Sequence, residues 1–311
     1  MKIIFMGTPD FAVESLRKIH SLRAELAAVV TAPDRPAGRG KKLKRSAVKN
    51  FAIENRIPVL QPTNLKDPEF IKEIQEINAD LFVVVAFRML PEIVWSMPKK
   101  GTINLHASLL PNYRGAAPIN WAIINGEKET GITTFFIEKE IDTGKIIHQQ
   151  KVAILEDDTV GSLHDKLMIK GANLLLKTIS SIEDGTNPFI DQQNLISNKL
   201  NNAPKINKQT GKIHWNNSKS SINNLIRGLS PYPGAWTKIE IDAKSLIFKI
   251  YSAKCIEGQL HPGEISVNNN ELHIGCSDGC LKLAEIQLEG KKRMSAEEFI
   301  KGARFTNNQC L

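Results

Sequence analysis

The sequence has few cysteines and no long apolar run. Its four cysteines all fall toward the carboxyl end: Cys255, Cys276, Cys280 and Cys310. Cys276 and Cys280 lie close together in the sequence, but no second close pair of cysteines or histidines completes a tetrahedral zinc set. We therefore expect reduced thiols and no bound metal. Because no run reaches about 18 apolar residues, we predict no membrane span. Met1 and Lys2 lead directly into an apolar run, which predicts a cytoplasmic protein without a signal peptide.

Two nucleotide-binding signatures are also missing. The turn after the first apolar run, residues 6–12 (MGTPDFA), has a single glycine, Gly7, whereas a dinucleotide fingerprint needs glycines at several defined offsets. Residues 126–131 (GEKETG) lack the Lys and the Ser or Thr of a P-loop. We therefore expect neither a nicotinamide or flavin cofactor nor ATP binding through a P-loop.

Acidic residues are outnumbered, and the basic excess is uneven along the chain. There are 41 Lys and Arg against 33 Asp and Glu, a net charge of +8. Residues 34–49 hold seven basic side chains and one Asp, and residues 205–311 hold 15 basic and 10 acidic side chains. Phosphate groups attract such surfaces, so a polyanionic partner is one interpretation of the charge. A merely solvated surface is the other.

The first half of the chain alternates strand-like and helix-like segments. Strands are predicted at residues 2–7, 26–31, 57–61, 81–86 and 101–106, and helices at 10–20, 45–56 and 67–78. This order predicts an α/β fold, a Rossmann-like and mostly parallel sheet with helices on both faces. Residues 131–137 and 145–154 predict an antiparallel extension of the sheet, and residues 159–183 a long helix.

The second half has a different pattern. Residues 186–204, rich in Asn, Gln and Pro, lack periodicity and predict a linker. Short strand-like runs separated by Gly, Asn and Asp turns follow at residues 244–253, 263–268, 271–276 and 280–288. They predict a small, OB-like β-barrel. The expected organisation is an α/β domain over 1–185, a linker over 186–204 and a β-barrel domain over 205–311.

The most informative stretch for chemistry is residues 101–121. Period-two alternation places Asn104 and His106 on one face at the carboxyl end of a predicted strand, where open α/β sheets bind ligands. An Asn amide can donate to an oxyanion, and a His can donate or accept a proton near neutral pH. Asp142 lies in a predicted turn that can reach the same edge, where a carboxylate would support the His.

Each of these residues also has a plainer interpretation. A strand-end His is often structural, and an Asp before Thr and Gly is often a turn former. Ser108 is not surrounded by the G-x-S-x-G pattern of a nucleophile, and no cysteine lies near it in the sequence. The residues alone therefore predict a general-acid or oxyanion site, with the substrate left open.

Several blocks of the chain resemble one family of enzymes. They are MGTPDFA (6–12), PDRPAGRGKK (33–42), INLHASLLPNYRGAAPINWAIINGEKETGIT (103–133), DTG (142–144), RGLSPYPGAW (227–236) and LEGKKRMSAEEF (288–299). The block with Asn104, His106 and Asp142 is similar to the folate-dependent formyltransferases as a whole. The basic segment and the PYPGAW block resemble, more narrowly, the methionyl-tRNA formyltransferases.

The resemblance implies formyl transfer from 10-formyltetrahydrofolate to the amino group of methionine on initiator tRNA, by a cytoplasmic and monomeric enzyme without a metal. It implies that Asn104, His106 and Asp142 are catalytic, and that the β-barrel domain offers a basic surface to tRNA. The implied folate-contacting residues are Ser108, Leu109, Leu110, Pro111, Phe87, Arg88 and Leu90. The implied tRNA-contacting residues of the basic segment are Arg39, Lys41, Lys42 and Lys44.

One departure from the family and two alternatives bear on this expectation. Phe87 and Arg88 stand where family members commonly carry Tyr and Gly, and a glycine there could serve unusual backbone angles. Another folate formyl enzyme, acting on an amino sugar or glycinamide ribonucleotide or hydrolysing the formyl folate, would share the three catalytic residues. A tRNA-binding protein without activity is the alternative of a different class.

Overall fold

The computed structural model describes residues 1–22, 25–37, 42–196, 199–241, 244–302 and 305–310. The chain forms two compact units that alternate along the sequence. The first unit consists of Met1–Gly115, Thr130–Val152 and His164–Asn202. The second unit consists of Ala116–Glu129, Ala153–Leu163 and Ala203–Leu311. Two short stretches that precede residue 164 therefore belong to the second unit with the carboxyl-terminal part of the chain.

The secondary structure is given in chain order. The strands are β1 (Lys2–Gly7), β2 (Glu25–Val30), β3 (Arg35–Ala37), β4 (Lys42–Lys44), β5 (Val59–Leu60), β6 (Leu81–Val85), β7 (Thr102–His106), β8 (Arg114–Gly115), β9 (Glu129–Phe136), β10 (Ile146–Ala153), β11 (Asn202–Ala203), β12 (Ala235–Ile241), β13 (Lys244–Ile256), β14 (Ile265–Asn268), β15 (Glu271–Cys276), β16 (Gly279–Leu288), β17 (Met294–Ser295) and β18 (Phe305–Cys310).

The helices are α1 (Asp10–His20), α2 (Ala47–Glu54), α3 (Pro68–Ile77), α4 (Glu92–Trp95), α5 (Pro118–Ile124), α6 (Val160–Glu183), α7 (Lys219–Gly228) and α8 (Ala296–Gly302). Short 3-10 helices cover Gln192–Leu195 and Gln209–Gly211. No helix of the described residues is long and apolar enough to cross a membrane.

The first unit is built on a sheet with strand order β10-β9-β7-β6-β1-β2-β5. Strands β7, β6, β1, β2 and β5 run parallel to their neighbours, and β9 pairs antiparallel with β7. Consecutive residues of β1, from Ile3 to Met6, are all fully buried. Helices that cover both faces of a parallel sheet bury such continuous apolar runs. The predicted Rossmann-like, mostly parallel sheet is therefore confirmed.

Local sequence explains where the helices of this unit begin and end. Helix α3 starts at Pro68 because Asp67 caps it, accepting a hydrogen bond from the Glu69 N–H at 2.9 Å. It ends at Asn78, whose left-handed backbone (φ 48°) terminates the helix. Helix α2 is capped in the same way by Ser46, which accepts from the Lys49 N–H at 3.0 Å.

The second unit is a nearly closed antiparallel barrel. Its strand order is β14-β15-β16-β13-β12-β18, and a bridge between Glu264 and Gln309 joins the start of β14 to β18. Inward side chains such as Ile239, Phe248 and Ile274 form its core. The predicted barrel is confirmed, although sequence reasoning missed β12, β18 and the helices α5, α7 and α8.

Helices α5 and α7 of the second unit pack together. The Asn120 amide donates to the Gly228 carbonyl at 2.8 Å, and an added Cβ at Gly228 would lie 2.7 Å from Ile124. Arg227, at the end of α7, is buried and donates to the carbonyls of Leu155 and Asp158, both at 3.2 Å. These contacts explain why two early stretches of the chain belong to this unit.

Part of the predicted linker packs on the first unit. Ile190 exchanges two backbone hydrogen bonds with Ile146, at 2.8 and 2.9 Å, and the ring of Phe189 stacks on Phe136. Gln192 follows with only 1% of its surface exposed. Residues 199–202 belong to the first unit as well. The domain limits at residues 185 and 204 stay a prediction.

Candidate active site

The candidate site lies at the carboxyl end of β7. In register, Asn104 lies between Val84 of β6 and Phe135 of β9, so that the end of β7 is enclosed by neighbouring strands. His106 is 6% exposed, and Asn104 is half-buried on the same face. The Asn104 side chain makes no hydrogen bond to any described residue, so its amide is free to bind a ligand.

His106 is oriented through both ring nitrogens. Its Nε2 lies 2.8 Å from the carbonyl oxygen of Tyr113. Because a carbonyl can only accept, Nε2 carries a hydrogen and donates it. Its Nδ1 lies 3.8 Å from Oδ2 of Asp142, longer than a hydrogen bond but within reach of an ion pair. The ring also meets Phe135 edge to face, with 6.5 Å between centroids.

Asp142 occupies the turn between β9 and β10, as predicted. Its carboxylate accepts a hydrogen bond from the Gly115 N–H at 2.9 Å, which aims Oδ2 toward the histidine. Gln192 donates to the backbone carbonyl of Asp142 at 2.9 Å. The structure therefore brings the Asn, the His and the Asp together at one edge of the sheet.

Three residues around this edge have left-handed backbone although none is a glycine. They are Ala86 (φ 48°), Tyr113 (φ 60°) and Asp142 (φ 55°). Such conformations cost free energy for residues with a side chain, and they cluster where a structure fixes functional groups. Tyr113 provides the carbonyl that binds His106, and Asp142 provides the carboxylate that faces it. The left-handed conformation therefore occurs at two residues that contact the histidine.

The segment from Ser108 to Pro111 is held from inside the first unit. Ser108, Leu110 and Pro111 are buried, while Leu109 is partly exposed. The hydroxyl of Thr133 accepts from the Leu110 N–H at 3.1 Å and donates to the Ser108 carbonyl at 2.7 Å. These bonds fix the turn that follows His106.

Replacement of Thr133 by valine removes the hydroxyl and leaves the Leu110 N–H and the Ser108 carbonyl without this partner. We expect the free energy of unfolding to fall by at least about 1–3 kcal/mol, the cost of leaving one buried hydrogen-bonding group unsatisfied. Chemical denaturation of the two proteins measures the difference. Thr186→Val, at an exposed position, is the matched control and should change little. Equal loss in both variants would contradict the role given to the buried hydroxyl.

Three of the residues expected to contact folate, Phe87, Arg88 and Leu90, lie together after β6. Arg88 donates to the carbonyl of Thr63 at 2.9 Å and to the carbonyl of Pro62, and its guanidinium lies 5.6 Å from the Phe87 ring centroid. Burial lowers the pKa of Arg88. Leu90 is buried, and a cleft of about 610 Å³ runs along residues 63–66 and 88–93. Arg88 is not among the described residues with positive φ, and the left-handed residue of this loop is Ala86.

The basic segment is described only in part. Arg39 and Lys41 lie outside the described residues, Lys42 belongs to β4, and Lys44 is exposed. Strands β3 and β4, which precede and follow residues 38–41 in the sequence, pair antiparallel. The two ends of the segment are joined by an ion pair of 2.7 Å between Asp34 and Lys49. The hydrogen bond that Lys49 donates in this pair lowers the pKa of the Asp34 carboxyl.

Three residues of this region were missed by sequence reasoning: Tyr113, Thr133 and Gln192. Tyr113 acts through a backbone carbonyl, which no residue type reveals. Thr133 lies in a strand, where threonine is a common residue, so its residue type gives no sign of a special role. Gln192 lies in the Asn- and Gln-rich stretch predicted as a linker. No cluster of three or more His, Cys, Asp or Glu side chains in the described part of the chain could hold a metal ion.

Comparison with known families agrees with this fold. Residues 1–179 match the formyl transferase family, and residues 205–304 match the formyl transferase C-terminal domain. The two matches define the class of the protein, an enzyme that transfers a one-carbon group.

Two curated relatives narrow the class. The methionyl-tRNA formyltransferase of Flavobacterium johnsoniae is 49% identical over 309 residues, 99% of this chain and 98% of the relative. That of Bacteroides thetaiotaomicron is 47% identical over 312 residues, 99% of this chain and 97% of the relative. The chain therefore belongs to the methionyl-tRNA formyltransferase family.

A more distant solved structure shares the fold. The N-formyltransferase from Helicobacter canadensis, in complex with folinic acid and dTDP-3-aminofucose, has a TM-score of 0.66 at 23% identity. The match covers 92% of this chain and 100% of that chain. At this identity the likeness shows the fold alone.

Proposed function

We propose that this enzyme transfers the formyl group of 10-formyltetrahydrofolate to the α-amino group of methionyl initiator tRNA, as a monomer in the cytoplasm. The observation that carries the proposal is the constellation of Asn104, His106 and Asp142 at one sheet edge. The acceptor in this proposal is supported by the name that the two relatives share. The donor in this proposal is supported by the folinic acid bound to the Helicobacter canadensis N-formyltransferase.

The first step in this proposal is attack of the neutral amine on the formyl carbon. A new C–N bond forms, and the carbonyl π electrons move to the oxygen. The Asn104 amide, which has no partner among the described residues, donates an N–H to that developing oxyanion. A donor already in place stabilises this charge without reorganisation at the moment of reaction.

His106 and Asp142 complete the site. Because Nε2 is committed to the Tyr113 carbonyl, Nδ1 is the nitrogen left for chemistry. In the imidazolium form Nδ1 donates to the oxyanion, and the Asp142 carboxylate, 3.8 Å away, stabilises the positive charge. The proton lost by the amine passes by way of Asp142 and water to the folate nitrogen as its bond to the formyl carbon breaks.

The other residues carried by the resemblance keep their proposed roles. The segment from Ser108 to Pro111, with Phe87, Arg88 and Leu90, contacts the folate. Lys42 and Lys44, with Arg39 and Lys41 from the part of the chain outside the described residues, contact phosphates of the tRNA. No step of the transfer uses a metal ion.

A transfer assay with labelled formyl donor tests the acceptor. Purified enzyme is given methionyl initiator tRNA, free methionine, glycinamide ribonucleotide or a nucleotide-linked amino sugar, and the formylated product is quantified. We expect product with the charged tRNA only. Preferred transfer to one of the small amines would contradict the proposal in favour of another folate formyltransferase. Absence of any transfer, with tRNA binding intact, would favour the binding protein without activity.

The basic segment gives a separate prediction. Replacing Arg39, Lys41 and Lys42 by alanine should weaken tRNA binding and reduce its salt dependence, by about one unit of slope for each phosphate that is no longer neutralised. Filter binding over a range of salt concentrations measures this slope, and fluorescence titration measures folate affinity. The control is Lys170→Ala, an exposed lysine of α6. An unchanged slope, or a loss confined to folate affinity, would overturn this assignment.

A further inference from the structure

We propose that Gln192 is a positioning residue of the reaction, which sets the place of the Asp142 carboxylate relative to His106. The inference rests on the proposed function, because it gives Gln192 a role through Asp142. The Gln192 side chain itself forms no hydrogen bond with His106 or Asn104. Its place in an Asn- and Gln-rich stretch hid this role from sequence reasoning.

The side-chain amide of Gln192 uses its complete hydrogen-bonding capacity. Its Nε2 donates to the carbonyl oxygens of Asp142 at 2.9 Å and Gly144 at 2.8 Å. Its Oε1 accepts from the guanidinium of Arg114 at 3.1 and 2.6 Å. An amide has two donor hydrogens and two acceptor lone pairs, so each is used. Only 1% of its surface is exposed, so the amide depends on these protein groups for its hydrogen bonds.

The two donated bonds fix the turn that carries Asp142. They hold the carbonyls on either side of Thr143, and so they restrain the left-handed backbone of Asp142. A Cβ at Gly144 would clash with the carbonyl of Phe136, so only glycine fits at this position of the turn. The carboxylate then needs only the Gly115 N–H to aim it at Nδ1 of His106.

The two accepted bonds have a second consequence. Arg114 lies close enough to Asp142 for the carboxylate to raise the pKa of the guanidinium against the larger effect of burial. Opposite charges so placed attract each other, and guanidinium groups bind carboxylates strongly. Gln192 holds Arg114 by two bonds and so keeps the carboxylate available to His106.

The segment that carries Gln192 is itself anchored. Its backbone bridge between Ile190 and Ile146 and the cap from Asp191 to the Gln193 N–H, 2.9 Å, place the amide before it meets the turn. Gln193 is exposed on the same 3-10 helix and its side chain has no partner in the described residues. The chain therefore offers a neighbouring glutamine as a matched control.

The first test compares Gln192→Met, Gln192→Glu and Gln193→Met. Methionine removes all four bonds at similar volume, and glutamate keeps the acceptor for Arg114 but loses both donors. Since misplacement of a reacting group by about 1 Å can cost a hundredfold in rate, we expect kcat to fall about 10- to 100-fold in both Gln192 variants. KM for both substrates should stay within about threefold, and Gln193→Met should match the parent. Parental kcat in folded Gln192→Glu would overturn the inference.

The second test separates positioning from a general structural defect. Single-turnover rates are measured for Asp142→Asn, Gln192→Met and the double variant. If Gln192 acts through Asp142, the double variant should be no slower than Asp142→Asn alone. Rate losses that multiply would overturn the inference while leaving the proposed function intact. A parental rate for Asp142→Asn would instead refute the catalytic set, and the inference with it.

Discussion

Asn104→Ala should lower the single-turnover rate of formyl transfer about a hundred- to a thousandfold, the typical loss when one oxyanion donor is removed. Substrate affinity should change far less, because the amide is needed most when negative charge develops on the formyl oxygen. Rapid-quench measurements with saturating enzyme give the rate directly. The large effect is expected because the Asn104 amide is one of only two donors in the proposed site, with Nδ1 of His106.

Asn194→Ala is the control for this experiment. Asn194 is an exposed asparagine of the first unit, and its side chain makes no hydrogen bond to the candidate site. Both variants should melt close to the parent, since the Asn104 amide has no hydrogen bond to lose within the described residues. If the Asn104 variant stayed within about threefold of the parental rate, the oxyanion role would have to be given up.

Asp142→Asn is the second change with a large expected effect. Asparagine keeps the shape of the side chain and an oxygen that can accept from the Gly115 N–H, but it removes the negative charge beside His106. Proton transfer by a positioned side chain contributes about a hundredfold or more, so a loss of that size is expected in kcat. KM for tRNA and for the formyl donor should be nearly unchanged.

A control variant and the KM of Asp142→Asn test whether the carboxylate acts in catalysis. Asp165→Asn, at an exposed acidic position of α6, removes a charge from the same unit without approaching the site. It should retain parental kcat. A large rise in KM with unchanged kcat in Asp142→Asn would show that the carboxylate binds substrate and does not support the histidine.

The parts of the site that sequence could reveal share a simple physical basis. Asn104 and His106 are two residues apart on one strand, so alternation alone puts them on one face. Asp142 could be placed at the same edge because the strands around its turn were recognisable. The parallel sheet followed from apolar runs such as β1 and β6, which are buried on both faces.

The parts that sequence could not reveal depend on contacts between distant segments. Tyr113 holds His106 through a carbonyl, and its left-handed backbone has no signature in residue type. Gln192 gains its meaning only when residues 186–196 fold back on the turn of Asp142. Helix α7 was missed because its Ser and Asn residues are weak helix formers, and its stability comes from the barrel on which it packs.

The pairing of α5 with α7 has a consequence for the order of events during synthesis. Helix α5 is complete at residue 124, but its partner ends at residue 228. At the ribosomal pace of about 5–20 residues per second, the intervening stretch takes roughly 5–20 seconds to emerge. For that interval Asn120 and Ile124 of α5, which lie against Gly228 in the folded protein, have no partner from α7. The nascent chain must therefore pass through a period in which this apolar helix is open to chaperones and to mispairing.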